Sequence, residues 1–188
     1  MNINDLKPLN SLTKRYGVKC IMYGPPGSGK TPLMSTAPNA VALITEPGLL
    51  SARTITNVMA VELNTFEKIE DFFKWFFESK EASRFDTLCI DSLTQLAEIY
   101  LKKELERNKD VRRAYGEMSR NVKNQLDKLY YFPNKHAYLI CKEGKDGESG
   151  KKKPYFPGQE LNVYVPHLFD EVLHIGLESI PGFIQPVK

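Results

Sequence analysis

Short apolar runs alternate with amphipathic stretches along most of this chain. Val18-Lys19-Cys20-Ile21-Met22-Tyr23, Val41-Ala42-Leu43-Ile44-Thr45, Val58 to Leu63, Phe85 to Asp91, His136 to Cys141 and Phe169 to Ile175 all read as strands. Phe66, Ile69, Phe73 and Phe76 recur at steps of three or four. They mark one face of a helix running to about Lys80, with Asn64 or Thr65 as its cap. Such an aromatic stripe can bind a partner, but packing against a sheet is its commoner use. Leu93 to Glu106 predicts the next helix, and Met118, Val122, Leu126 and Leu129 mark another that ends at Pro133-Asn134. Between these two, Arg107 to Gly116 interrupts the pattern. Lys142 to Tyr155 is rich in Gly and Lys without periodicity and reads as a mobile loop, and Leu161 to Leu168 as a short helix. Residues 1–17 are a polar lead-in carrying Lys14-Arg15, and residues 177–188 are a weakly patterned tail with Pro181-Gly182. Strands alternating with helices predict an α/β fold. Its sheet is mostly parallel with helices on both faces, and ligands bind at the carboxyl ends of the strands.

Composition narrows the class only a little. A chain of 188 residues, 41% apolar and 26% charged, suits one globular domain. A net charge of +3 does not by itself imply nucleic acid. Cys20, Cys89 and Cys141 each lie in an apolar run without C-x-x-C spacing, which points to reduced thiols rather than a disulfide framework or a zinc site. His136, His167 and His174 share no metal-ligand spacing. No apolar run approaches the roughly 18 residues of a membrane span, and Met1-Asn2-Ile3-Asn4-Asp5 lacks a signal-peptide pattern. A cytoplasmic location with no membrane contact is the expectation.

The strongest chemical signal is Gly24-Pro25-Pro26-Gly27-Ser28-Gly29-Lys30-Thr31, which meets every fixed position of G-x-x-x-x-G-K-[ST] directly after a strand. Glycines let such a loop curl so that its amides point at phosphate oxygens. A helix starting near Gly29 adds its positive end, with Pro32 tolerated in the first turn. Lys30 then reaches the β- and γ-phosphates, and the Thr31 hydroxyl holds Mg²⁺. The alternative, a glycine-rich turn that binds nothing, fits the strand–loop–helix order less well. The loop implies a nucleoside triphosphate as ligand.

Asp91 ends the run Leu88-Cys89-Ile90, on a strand expected beside the loop strand. There it holds Mg²⁺ through a water or Thr31, or caps the helix at Leu93, or both. Ser92 follows it where many ATPases have a glutamate that polarises the attacking water, so a base must come from elsewhere. Glu46, at the end of the second strand, is the candidate; the alternative is a surface glutamate in the turn before Pro47. Two segments are basic: 102–113 carries net +3 and 142–153 net +2. Tyr115, Tyr155 and Phe156 add flat faces on which bases stack. A solvated helix face and a surface loop are the plainer readings of the same charges.

Together, the loop, Glu46 with Gly48, Ile90-Asp91-Ser92-Leu93-Thr94, Ala114-Tyr115-Gly116, Pro157-Gly158 and Phe169-Asp170-Glu171-Val172 resemble a RecA-type ATPase core. More narrowly, residues 18–176 resemble the short phage-encoded RecA-like ATPases of single-strand annealing and recombination. The resemblance implies ATP and Mg²⁺ as cofactors and hydrolysis that DNA can stimulate. It also implies single-stranded DNA as partner, a homo-oligomeric ring or filament with ATP at subunit interfaces, a single-strand DNA-binding protein as helper, and the host cytoplasm. It makes segments 107–120 and 142–155 the counterparts of the DNA-reaching loops, with Arg107, Arg112, Arg113, Lys145, Lys151, Lys152 and Lys153 as contacts. The chain departs from the pattern at Cys141-Lys142, where a polar γ-phosphate sensor such as glutamine is usual, and in lacking an arginine finger near His174 or Lys188. An AAA+-type remodeller or helicase loader shares the loop but pairs it with Asp-Glu and a C-terminal helical lid. A small-molecule kinase needs an arginine-rich lid, and segment 142–153 has no arginine. A DNA-binding module with ATP as structural glue is the remaining class.

Overall fold

Ala40–Ile44 and Thr87–Asp91 are buried at every position, as strands covered on both faces must be. They are β2 and β4 of a sheet that also contains β1 (Lys19–Gly24), β3 (Met59–Glu62), β5 (His136–Lys145), β6 (Lys152–Pro154) and β7 (Glu171–His174). In this computed structural model the order is β3-β2-β4-β5-β1-β7, all parallel, with β6 antiparallel to the far end of β5. Residues 2–13, 17–47, 49–147 and 149–176 are described. Lys14-Arg15, Gly48, Glu148 and the tail with Lys188 lie outside them.

The α-helices are α1 (Leu9–Thr13), α2 (Phe66–Glu78), α3 (Leu93–Arg107), α4 (Val111–Tyr131) and α5 (Gln159–Leu168). The two faces of the sheet are covered unequally. Ile21, Leu43, Leu88, Ile90 and Leu139 meet Ile69, Phe73, Phe76, Leu96, Tyr100, Met118, Val122, Leu126 and Leu161 of α2 to α5 in the larger core. The aromatic stripe of α2 is therefore core: Phe73 and Phe76 are buried. On the other face Met22, Ala42, Ile44, Cys89, Tyr138 and Ile140 pack against Met34 of a short 3-10 turn, with Leu49 and Val58 at the margin.

Four expectations are corrected. The loop 24–31 leads into a five-residue 3-10 turn, Pro32–Thr36, not an α-helix. Ala37 precedes Pro38 and is extended (ψ 134°), as a residue before proline prefers, so the helix cannot lengthen. Second, β4 is not beside β1: the α3–α4 connection returns the chain so that β5 lies between them. Third, the break after Arg107 spans only 108–110, and Arg112 to Arg120 are helical. Asp110 caps α4 by accepting from Arg112 N at 2.9 Å, which a helix-interior Gly116 and an arginine-rich first turn disguise in the sequence.

The fourth correction concerns the expected mobile loop at 142–155, most of which is a β-hairpin. Gly144 pairs Lys153 and Lys145 pairs Lys152. Asp146 organises its turn, accepting from Ser149 N and Oγ at 3.0 Å each and from Lys153 Nζ at 3.0 Å. A solvated two-stranded ribbon is held by its backbone ladder and needs no apolar alternation. The last strand, β7, is an exposed edge, with Val172 37% and Leu173 41% accessible. Its approach to β1 is tied by Lys19 N donating to Asp170 Oδ2 at 3.2 Å.

Candidate nucleotide site

Parallel strands deliver their carboxyl ends to one rim, where β1 turns into the loop 24–31, β2 leads to Glu46, β4 ends at Asp91 and Lys142 of β5 lies level with Gly24. Gly27 (φ 77°) and Gly29 (φ 92°) occupy the left-handed region, so a side chain at either position strains the loop. Pro25, Pro26 and Ser28 complete the curl, with Ser28 N donating to Pro25 O at 3.3 Å. Lys30 Nζ lies inside it, donating to Gly24 O and Pro25 O at 2.8 Å each. Burial holds the Lys30 ammonium below its ordinary pKa, against the pull of Asp91, Glu46 and Glu143.

Thr31 Oγ1 donates to Asp91 Oδ2 at 2.6 Å, so the two expected Mg²⁺ residues share one hydrogen bond. Burial raises the Asp91 carboxyl above its usual range; Thr31 and Lys30 oppose the shift and Glu46 adds to it. The capping role weighed for Asp91 falls instead to Ser92, whose Oγ accepts from Gln95 N at 3.1 Å. That leaves the Asp91 carboxylate to the rim. A hydroxyl and one carboxylate are hard oxygen donors, the small set that suits Mg²⁺ shared with phosphates and water. Among the described residues no group of three or more His, Cys, Asp or Glu side chains could hold a metal by itself.

Glu46 belongs to the same rim. Ser92 Oγ donates to its Oε1 at 2.5 Å, and Lys142 Nζ lies 3.6 Å from that oxygen. Thr45 braces the corner, its Oγ1 donating to Ser92 O at 2.8 Å and accepting from Ser92 N at 3.0 Å. Lys142, at the position where a polar sensor was expected, also reaches Gln95 Oε1 at 3.1 Å and Glu98 Oε2 at 3.3 Å. Its backbone is shared with the hairpin: Tyr155 N donates to Lys142 O at 2.9 Å. Gln95 and Glu98 carry no signal in the sequence beyond lying one turn apart on a helix.

Two more neighbours of the rim were not legible. Thr31, Met34, Ala42, Ile44, Leu49, Ala52, Arg53, Ile55, Val58 and Ala60 line an apolar cavity of about 260 Å³ that opens beside the loop. Glu143, one residue past Lys142, accepts from His174 at 2.7 Å and faces Lys152 at 3.4 Å.

The basic residues divide. Arg107 is committed, paired with Glu104 at 3.3 Å and set over the Phe66 ring at 5.1 Å. Lys152 and Lys153 are paired with Glu143 and Asp146. Arg112, Arg113, Lys145 and Lys151 are exposed. Tyr115 packs on Gly158, where a Cβ would lie 3.1 Å from its ring and φ is 81°; the two outlying motifs therefore meet in space.

A family model described as an AAA domain matches residues 16–185. A solved structure titled "Crystal structure of the RadB recombinase" superposes with TM-score 0.54 at 18% identity, covering 93% of this chain and 82% of that one. At that identity the likeness concerns the fold, and the fold is a RecA-like P-loop core. No curated protein matches the sequence. No helix among the described residues is long and apolar enough to cross a membrane.

Proposed function

The chain belongs to the AAA domain family, and from that premise we propose a Mg²⁺-dependent ATPase with one RecA-like domain that acts on single-stranded DNA in phage recombination or annealing. The observation that carries the proposal is the convergence of Thr31, Asp91, Glu46 and Lys142 on one rim. Loop amides and Lys30 bind the β- and γ-phosphates. Thr31 and Asp91 hold Mg²⁺, which, when bound, neutralises charge on the phosphates. Glu46, oriented by Ser92 and Lys142, takes the proton of the water that attacks the γ-phosphorus. The apolar cavity beside Thr31, with Arg53 in its lining, would take the nucleobase.

Arg112, Arg113, Lys145 and Lys151 meet the DNA backbone, and Lys152 and Lys153 join by exchanging carboxylate partners for phosphates. Lys142 links the two sites, because its ammonium faces Glu46 while its carbonyl anchors the hairpin's return strand. A homo-oligomer with nucleotide at the subunit junction and a single-strand DNA-binding protein as helper complete the reading. The recombinase title of the structural neighbour supports it. The family description keeps a remodeller as the second reading, and Ser92 in place of glutamate weighs against it.

ATP turnover measured with and without oligothymidine separates the readings. Stimulation by the oligonucleotide is the expected result. Unchanged turnover alongside tight DNA binding would favour the structural-glue module, and turnover indifferent to DNA without binding would favour the remodeller.

A further inference from the structure

In an α-helix the carbonyl of Lys30 would accept the amide of Met34, four residues on. Here the turn after the loop is 3-10, and Met34 N donates to Thr31 O at 3.1 Å instead. Pro32 offers no amide. The Lys30 carbonyl is held from outside the loop: Tyr138 OH donates to it at 2.9 Å. Tyr138 rises from the middle of β5, in register with Cys20 of β1 and Cys89 of β4, and only 9% of it is accessible.

A trans peptide points its C=O and N–H in opposite directions. Fixing Lys30 O toward Tyr138 therefore fixes Thr31 N–H on the side of the peptide away from it, and it sets the Cα from which Thr31 Oγ1 reaches Asp91. We propose that Tyr138 is a positioning residue for the phosphate site: its hydroxyl supplies the constraint that the first turn of an α-helix would otherwise supply. The inference rests on reading the loop as a triphosphate site. It also accounts for a tyrosine within an otherwise apolar layer of Met22, Met34, Ala42 and Ile140. A buried hydroxyl needs an acceptor, and this one takes the carbonyl that the 3-10 turn leaves without the Met34 amide.

Tyr138→Phe removes the hydroxyl and keeps the ring. Titration of Mg·ATP and of inorganic triphosphate into the variant should show both affinities reduced about five- to tenfold, the loss of one hydrogen bond. Tyr100→Phe is the matched control, since it also loses a buried tyrosine hydroxyl bond, to Glu70, in the other core. That control should lower thermal stability and leave both affinities within twofold. Tyr138→Met, which fills the slot without a hydroxyl, should repeat the loss and keeps the test open if the phenylalanine variant is recovered unfolded. Affinities unchanged in folded Tyr138→Phe or Tyr138→Met, with wild type binding Mg·ATP, overturn the positioning role alone. A wild-type chain that binds neither ligand overturns the triphosphate reading with it.

Discussion

Thr31 and Asp91, sixty positions apart in the chain, are joined by a 2.6 Å hydrogen bond from Thr31 Oγ1 to Asp91 Oδ2. The bond spans β5, which separates the strand that carries the loop from the strand that carries the aspartate. Asp91→Asn keeps the side chain's shape and removes its charge. Calorimetry with ATP in Mg²⁺ and in EDTA should show the Mg²⁺-dependent gain in affinity cut by about 1.5–3 kcal/mol, the worth of one charged contact. An undiminished Mg²⁺ dependence in the variant would contradict the assignment.

Glu46→Gln should leave ATP binding near wild type while turnover falls by about 10²–10⁴-fold, the usual contribution of a general base. Ser92→Ala tests the support beneath it. Glu46 loses its hydroxyl donor and α3 loses its cap, at a cost of about 1 kcal/mol in stability. Turnover in Glu46→Gln within threefold of wild type would remove Glu46 from the chemistry.

The proposed DNA surface can be sized from its exposed cations. Arg112, Arg113, Lys145 and Lys151 would neutralise four phosphates, so log K for oligothymidine should fall with log salt at a slope of about −3, steepening to about −4 where Lys152 and Lys153 also join. Removing Arg112 and Lys151 together should flatten the slope by about 1.4. A slope near zero in the wild-type chain would be incompatible with this surface.

Burial pushes the Cys20 thiol up to about 11, with Glu171 adding to the shift. Its folded value lies above the unfolded value of about 9, so the stability it contributes is complete below pH 9. That contribution is lost as pH rises from 9 through 11. Melting curves from pH 8 to 11 should therefore decline more steeply in wild type than in Cys20→Ala. Parallel declines would show that the thiol ionises equally in both states.

The sequence marked residues 24–31, Asp91 and Glu46 as candidates because each is a charged or glycine-rich break at the end of a buried apolar run, and the sheet's parallel order carries all three to one rim. Residues that act through tertiary contacts left no such trace. Tyr138 reads as one more aromatic in a strand, and Gln95 and Glu98 as ordinary polar positions of an amphipathic helix. The basic segments misled for a related reason. Hydrophobic periodicity is the signal of burial, and neither the first turn of α4 nor the β5–β6 hairpin buries enough apolar surface to show it. What orders them is polar and local: Asp110 at one, Asp146 at the other. The 3-10 turn was foreshadowed only by the two prolines, Pro32 and Pro38, that bracket it.

The most direct measurement is the titration of Mg·ATP into the wild-type chain and into Lys30→Ala. Lys30 enters the curl of the loop and is held there by Gly24 O and Pro25 O. Wild type should bind one ATP per chain, and the variant should bind more weakly by about 1.5–3 kcal/mol, more than tenfold. Equal affinity in the two proteins, or no binding to either, would contradict the claim that residues 24–31 clasp the triphosphate.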